Sequence, residues 1–224
     1  MEDCRLKSKC KKYKNEGCPE FCIKLFKIDK LCNNALMSNV QRQHINLRLD
    51  EDGSDRDAFI YLKKIEDNIE EFIKEGNNLY IYSSNCGNGK TSWALRLLNS
   101  YFSKIWATAS STDCRGLFIN VPKFLISLKD NITQKSDYIQ HIKEHVLTAD
   151  VVVWDDIATK GFTQFEMENV LNIINNRIDA GKSNIYTSNL IGEDLRDAVG
   201  ERLYSRIINM STTLTFVGQD KRGL

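Results

Sequence analysis

The stretch Ser84-Asn85-Cys86-Gly87-Asn88-Gly89-Lys90-Thr91 decides how this chain folds. It follows a short apolar run, Leu79 to Ser83, and precedes apolar residues at helical spacing from Trp93 to Trp106. Strand, glycine loop and helix in that order build a phosphate cradle. Gly87 and Gly89 let the backbone curl so that successive N–H groups point inward, and the helix N-terminus adds its positive dipole end. The spacing matches GxxxxGK(S/T), except that Ser84 stands where the first glycine usually lies. Glycine alone adopts positive φ freely, so Ser84 predicts a small cost in loop geometry, at a position that supplies no required phosphate contact. On this reading Ser84, Asn85, Cys86, Gly87, Asn88, Gly89, Lys90, Thr91 and Ser92 bind ATP or ADP. Lys90 reaches the β- and γ-phosphates and the Thr91 hydroxyl ligates magnesium. The alternative is a chance glycine turn before a helix.

About 60 residues further on, Val151-Val152-Val153-Trp154-Asp155-Asp156 places two carboxylates at the end of an apolar run. In a Walker B arrangement Asp155 holds magnesium through its water shell and Asp156 orients or deprotonates the attacking water. Aspartates are also common in a turn that closes a strand, and alone the pair does not separate the two readings. Paired with the glycine loop, the catalytic reading prevails. Asp156 is one methylene shorter than the glutamate often found there, which predicts firmer binding of ATP than fast hydrolysis. Asn189 ends a third run, NIYTSN, where it either contacts the γ-phosphate or closes a strand into a turn. Arg202 and Arg206, four residues apart in ERLYSR, share one helix face. They are either solvated or paired with a carboxylate, or reach the γ-phosphate of a neighbouring subunit.

Outward from these motifs, short apolar strands alternate with helices. Residues 54–76 read as one amphipathic helix capped at SDRD, Leu117 to Val121 as a strand, and Thr163 with Glu166 as a capping box on a helix that runs to Gly181. A last strand is expected at TLTF. The pattern implies an α/β fold with a parallel sheet covered by helices on both faces. At 224 residues and 42% hydrophobic, the chain holds one core with a small appendage. The expected division is a Cys-rich module at residues 1–35, a linker at 36–55 and the main domain at 56–224. A formal charge of +1 excludes global attraction to nucleic acid, so any DNA contact must come from local Lys and Arg clusters. No apolar run approaches the roughly 18 residues that span a bilayer, and the charged start lacks a signal-peptide pattern; no membrane partner and a cytoplasmic location are expected.

Seven cysteines without an export signal suggest thiols or metal ligands rather than disulfides. Five lie in the first 32 residues, and Cys4, Cys10, Cys18 and Cys22 are spaced C-x5-C-x7-C-x3-C. Four thiolates close a tetrahedral shell around zinc, and the metal supplies folding energy that this short polar segment cannot draw from a core. Free cytosolic thiols are the other reading, and Cys32 is read as an ordinary thiol that substitutes if one of the four is misassigned. Nine Lys or Arg against five Asp or Glu in residues 1–32 describe a solvated basic face rather than a DNA-binding one. Cys86 sits in the phosphate loop, where oxidation or alkylation is expected to block ATP.

With SNCGNGKT, VVVWDDIA, YTSN and GERLYSRI in this order, residues 79–224 resemble the AAA+ ATPases that load bacterial replicative helicases, the DnaC and DnaI type, including phage-encoded members. The resemblance implies the ASCE P-loop sheet, with the strand that carries Asn189 between the two Walker strands. It also implies that Asn189 is the sensor 1 residue and Arg206 a finger acting on a neighbouring subunit. Only VGQDKRGL follows the last strand, so no C-terminal lid is expected, as in this loader family; Arg222 in that tail is a further candidate near the nucleotide. The family implies ATP hydrolysis that is slow and stimulated by partner or DNA. It also implies a zinc-bearing N-terminal module that grips a hexameric replicative helicase, contact with single-stranded DNA, and self-association through the ATPase domain. A DnaA-type initiator would need a lid and a helix-turn-helix domain that the chain has no length for. An IstB-type transposition helper shares the core, and a binding protein that traps the helicase without cycling is a third reading.

Overall fold

The computed structural model describes residues 22–43, 47, 53–110, 112–159 and 161–220. In chain order the elements are α1 (Ile23–Asn34), α2 (Arg56–Asp67), α3 (Ile69–Lys74), β1 (Leu79–Tyr82), α4 (Lys90–Ile105), β2 (Gly116–Asn120) and α5 (Val121–Asp130). They continue with α6 (Asp137–His145), β3 (Val151–Asp155), α7 (Gln164–Asp179), β4 (Ser183–Ser188), α8 (Gly192–Val199), α9 (Glu201–Ile208) and β5 (Thr212–Thr215). All strand pairs are parallel, in the order β2-β3-β4-β1-β5. β4 therefore lies between β3 and β1, the order the family resemblance implied.

Alternation along the strands sends side chains into two cores, because successive residues of a strand face opposite sides of the sheet. Leu79, Ile81, Val151, Val153 and Ile185 pack under α1, α2, α3 and α4 on one face. Tyr80, Val152, Trp154 and Tyr186 pack under α5 to α9 on the other. Both faces of the central strands are covered, which is why VVVWD is buried throughout. Among the described residues no helix is long and apolar enough to cross a membrane.

Two expectations need correction here. The single helix read over residues 54–76 is broken at Asn68, where the backbone leaves the helical region at φ of −115° and ψ of 28°, and the Asn68 side-chain amide donates to the Lys64 carbonyl at 3.1 Å. At its start, the Asp55 carboxylate makes no cap bond but accepts the backbone N–H groups of Val217, at 2.7 Å, and Gly218, at 3.2 Å. The second correction concerns the boundary at residue 35. Ile28, Leu31, Cys32, Ala35 and Met37 are buried in the same core as α4, and the Ala35 carbonyl accepts the Phe118 N–H of edge strand β2 at 2.9 Å. The packed domain thus begins by α1 rather than at residue 56, since an amphipathic helix must bury its apolar stripe somewhere.

Polar ties hold the layers together. Glu66 on α2, 5% exposed, takes bonds from Arg96 and Ser100 of α4 and from Lys63. Arg177 on α7 is 0% exposed and donates to the carbonyls of Val146, Ala149 and Ser183 and to Asn184 Oδ1. The Thr163–Glu166 capping box is present in both halves.

Candidate functional site

The loop between β1 and α4 is folded on itself. Ser83 Oγ accepts the Asn85 N–H at 3.1 Å and also the Asn88 side-chain amide. Lys90, 6% exposed, turns its ammonium into the loop and donates to the carbonyls of Asn85, at 2.9 Å, and Ser83, at 3.3 Å. Gly87 and Gly89 have φ of 73° and 103°, the left-handed backbone their identity allows. Ser84 is not among the residues with positive φ, so the turn at that position does not demand glycine and the expected cost is absent. Gly89 caps α4 without a side chain, which leaves the first-turn N–H groups of a 16-residue helix available to an anion.

Three adjacent strands bring the other candidates to this loop. At the end of β3, Asp155 is 4% exposed, and its Oδ1 accepts the Thr91 hydroxyl at 2.7 Å and the Thr187 hydroxyl of β4 at 2.8 Å. Asp156 follows with φ of 57°, a left-handed conformation uncommon for a residue with a Cβ. Burial raises the Asp156 carboxyl above the usual carboxylate range; the Asp155 charge adds to the rise and Lys90 opposes it. Beyond β4, the Asn189 side-chain amide lies 3.2 Å from the exposed Cys86 thiol of the loop. Lys90, Thr91, Asp155, Asp156, Asn189 and Cys86 therefore form one constellation at the C-terminal edge of β1, β3 and β4. That edge is where open α/β sheets present their ligand sites.

The residues fit a magnesium nucleotide. A buried ammonium, a hydroxyl and a carboxylate converge, a hard-oxygen set for magnesium beside a cation for phosphate. Asn88, 1% exposed, keeps a buried Oδ1 without a hydrogen-bond partner inside the cradle. The Asn85 side-chain amide donates to the carbonyls of Val217 and Gly218, and so ties the loop to the chain after β5. Sequence reading missed Thr187, Asp55 and Ser83. For Thr187 the signal was its place in YTSN, on the strand beside the paired aspartates; for Asp55 there was none.

The profile of the bacterial DnaA ATPase domain matches residues 52–213. The chain belongs to this family. As a member of the DnaA ATPase domain family it has an AAA+ nucleotide-binding fold. Solved structures share the architecture. The DnaC helicase loader superposes with a TM-score of 0.62 at 23% identity, over 76% of this chain and 93% of that one. DnaI gives 0.60 at 19%, over 83% and 94%. The replication initiator DnaA bound to AMPPCP and single-stranded DNA gives 0.57 at 19%, over 76% and 48%. No curated protein matches the chain.

The remaining candidates make no described hydrogen bond to the loop of this DnaA-family site or fall outside the described residues. Arg206, half-buried, and Arg202, exposed, lie on α9, and none of the described hydrogen bonds joins them to the loop. Cys22 is a half-buried thiol at the N-cap of α1. Cys4, Cys10, Cys18 and Arg222 fall outside the described residues, among which no cluster of His, Cys, Asp and Glu could hold a metal. Cys32 is fully buried against α4, as an ordinary thiol would be.

Proposed function

We propose that this chain is an ATP-dependent loader of a hexameric replicative DNA helicase onto single-stranded DNA, of the phage type. The observation that carries the reading is the shared fold: it takes in 93% of the solved chain of the DnaC helicase loader and 94% of that of DnaI, with TM-scores of 0.62 and 0.60. The assembled constellation around Lys90 and Asp155 supports a nucleotide-driven role.

Bound magnesium would neutralise phosphate charge and polarise the bond to be broken. Lys90 would hold the β- and γ-phosphates, and Thr91 and Asp155 would hold the metal. Asp156 accepts a proton from the water that attacks the γ-phosphorus, and its raised pKa makes it a better base than an ordinary aspartate. The bond between the γ-phosphorus and the β,γ-bridging oxygen breaks, leaving ADP and inorganic phosphate. Asn189 positions that water or the γ-phosphate. Arg206 of a neighbouring copy stabilises the developing charge, so turnover depends on self-association and is slow in the isolated protein. Cys4, Cys10, Cys18 and Cys22 hold zinc in an N-terminal module that grips the helicase in the bacterial cytoplasm.

Native mass spectrometry of the full chain with the host helicase, in ATP and then in ADP, tests this. A defined complex with one zinc per copy and a nucleotide-dependent population is expected. A complex indifferent to nucleotide would make the protein a trap. A free helicase, with filaments of this protein on duplex DNA, would sink the loader reading in favour of transposition.

A further inference from the structure

Thr187 lies two residues before Asn189 on β4, the strand between those that carry the glycine loop and the paired aspartates. It is 0% exposed, and its hydroxyl makes two bonds of opposite sense. It donates to Asp155 Oδ1 at 2.8 Å and accepts the backbone N–H of Asp156 at 2.9 Å. The stitching continues along the strand. The Ile157 N–H donates to the Thr187 carbonyl at 2.9 Å, and Ser188 Oγ donates to the Ile157 carbonyl at 2.7 Å.

Both aspartates need such a hold. Two hydroxyl donors on one oxygen, Thr91 at 2.7 Å and Thr187 at 2.8 Å, restrict rotation of the Asp155 carboxylate. Asp156, at φ of 57°, occupies left-handed backbone space, which aspartate enters more readily than most residues but which still costs energy for a residue with a Cβ. A bond to its N–H therefore helps to set the direction in which its side chain leaves the chain. Neither Thr91 nor Asn189 touches that N–H among the described bonds; Thr187 does.

We propose that Thr187 is a positioning residue for ATP hydrolysis, one hydroxyl orienting the metal-side carboxylate of Asp155 and the backbone of the base Asp156 together. This rests on the ATPase reading above. Valine has nearly the shape of threonine without the donor and acceptor, whereas serine keeps both.

The test compares the full-length protein with T187V, T187S and T187A. Readouts are ATP turnover, the magnesium dependence of binding of a fluorescent non-hydrolysable ATP analogue, exchange of the Asp156 amide, and thermal unfolding. T187V should lose ~10–100-fold in turnover or in apparent magnesium affinity, the range for removing a group that orients a metal ligand. Its magnesium-free nucleotide binding should stay unchanged, its Asp156 amide should exchange faster, and T187S should recover most of the loss. If T187V does not fold, T187A carries the same expectation. A T187V protein, or T187A in its place, with wild-type turnover and magnesium dependence overturns the proposal. So does a T187S protein as impaired as T187V, since shape rather than the hydroxyl would then matter. Failure of the wild type itself to bind magnesium nucleotide would instead refute the ATPase reading and take this proposal with it.

Discussion

Replacing Arg177 by methionine should cost about 3–4 kcal/mol of folding stability without changing nucleotide affinity. Arg177 is fully buried on α7, and its guanidinium makes four bonds of 2.5 to 2.9 Å, three to main-chain carbonyls and one to Asn184 Oδ1. None of these acceptors is a carboxylate. Burial pulls the guanidinium down to about 10, with Tyr186 and Asp150 acting the other way. Methionine fills similar space but strips the donors from the Val146 and Ala149 carbonyls, at roughly 1–3 kcal/mol for each group left unsatisfied, whereas the Ser183 carbonyl stays in the parallel ladder between β3 and β4. Asn184 Oδ1 keeps the Trp154 indole N–H at 3.1 Å. Against the loss stands relief of several kcal/mol of desolvation when the buried charge is removed, which brings the net to the stated range. That is a large part of the ~5–15 kcal/mol that holds a domain together. R177K should lose about as much, because a single ammonium cannot span four acceptors in a plane and deprotonates when buried. Urea unfolding followed by tryptophan fluorescence measures this. The network sits where β4 begins, while the nucleotide constellation sits where it ends, so binding of the ATP analogue should be untouched. An R177M protein within ~1 kcal/mol of wild type at an unchanged m-value would refute the reasoning.

Acid should weaken the tie between α2 and α4. Burial alone would raise the Glu66 carboxyl, but bonds from Arg96, Lys63 and Ser100 bring it down to about 2. A depressed carboxylate contributes stability that is complete above its unfolded value near 4.5 and is lost as pH falls toward 2. On the order of 3 kcal/mol should disappear over that window in urea melts, and E66Q should lack this dependence. D156N should abolish turnover yet retain magnesium nucleotide. In the wild type the acid limb of the rate profile should lie above the range of an ordinary aspartate, because burial raises the base that must be deprotonated. A D156N protein that still turns over would show that another group takes the proton. N85A should free the chain after β5, read as faster amide exchange at Val217 and Gly218, and D55A should do so more strongly because it removes the acceptor of both N–H groups. Unchanged exchange in both would mean that this tie is not made in solution.

What the sequence determined by itself is what depends on local chemistry. The glycine loop, the apolar strand ending in Asp155 and Asp156, and the capping box at Thr163 each encode their conformation within a few residues, and all three stand where they were read. Strand order could not be read that way; it came from the family resemblance, because parallel strands pair through crossovers and nothing in the NIYTS segment names its neighbours. Tertiary structure alone decided which polar groups are spent on one another. Asp55 was one residue of the SDRD start signal until the chain after β5, more than 160 residues away, proved to be its partner. Thr187 was legible only as part of the run NIYTSN until β3 came to lie beside it. Helix α1 looked like part of a Cys-rich module, because its short apolar stripe has a place only once α4 and β2 form the surface that buries it. Hydrogen bonds and burial reward contact in space, and no periodicity along the chain records which distant group will arrive there.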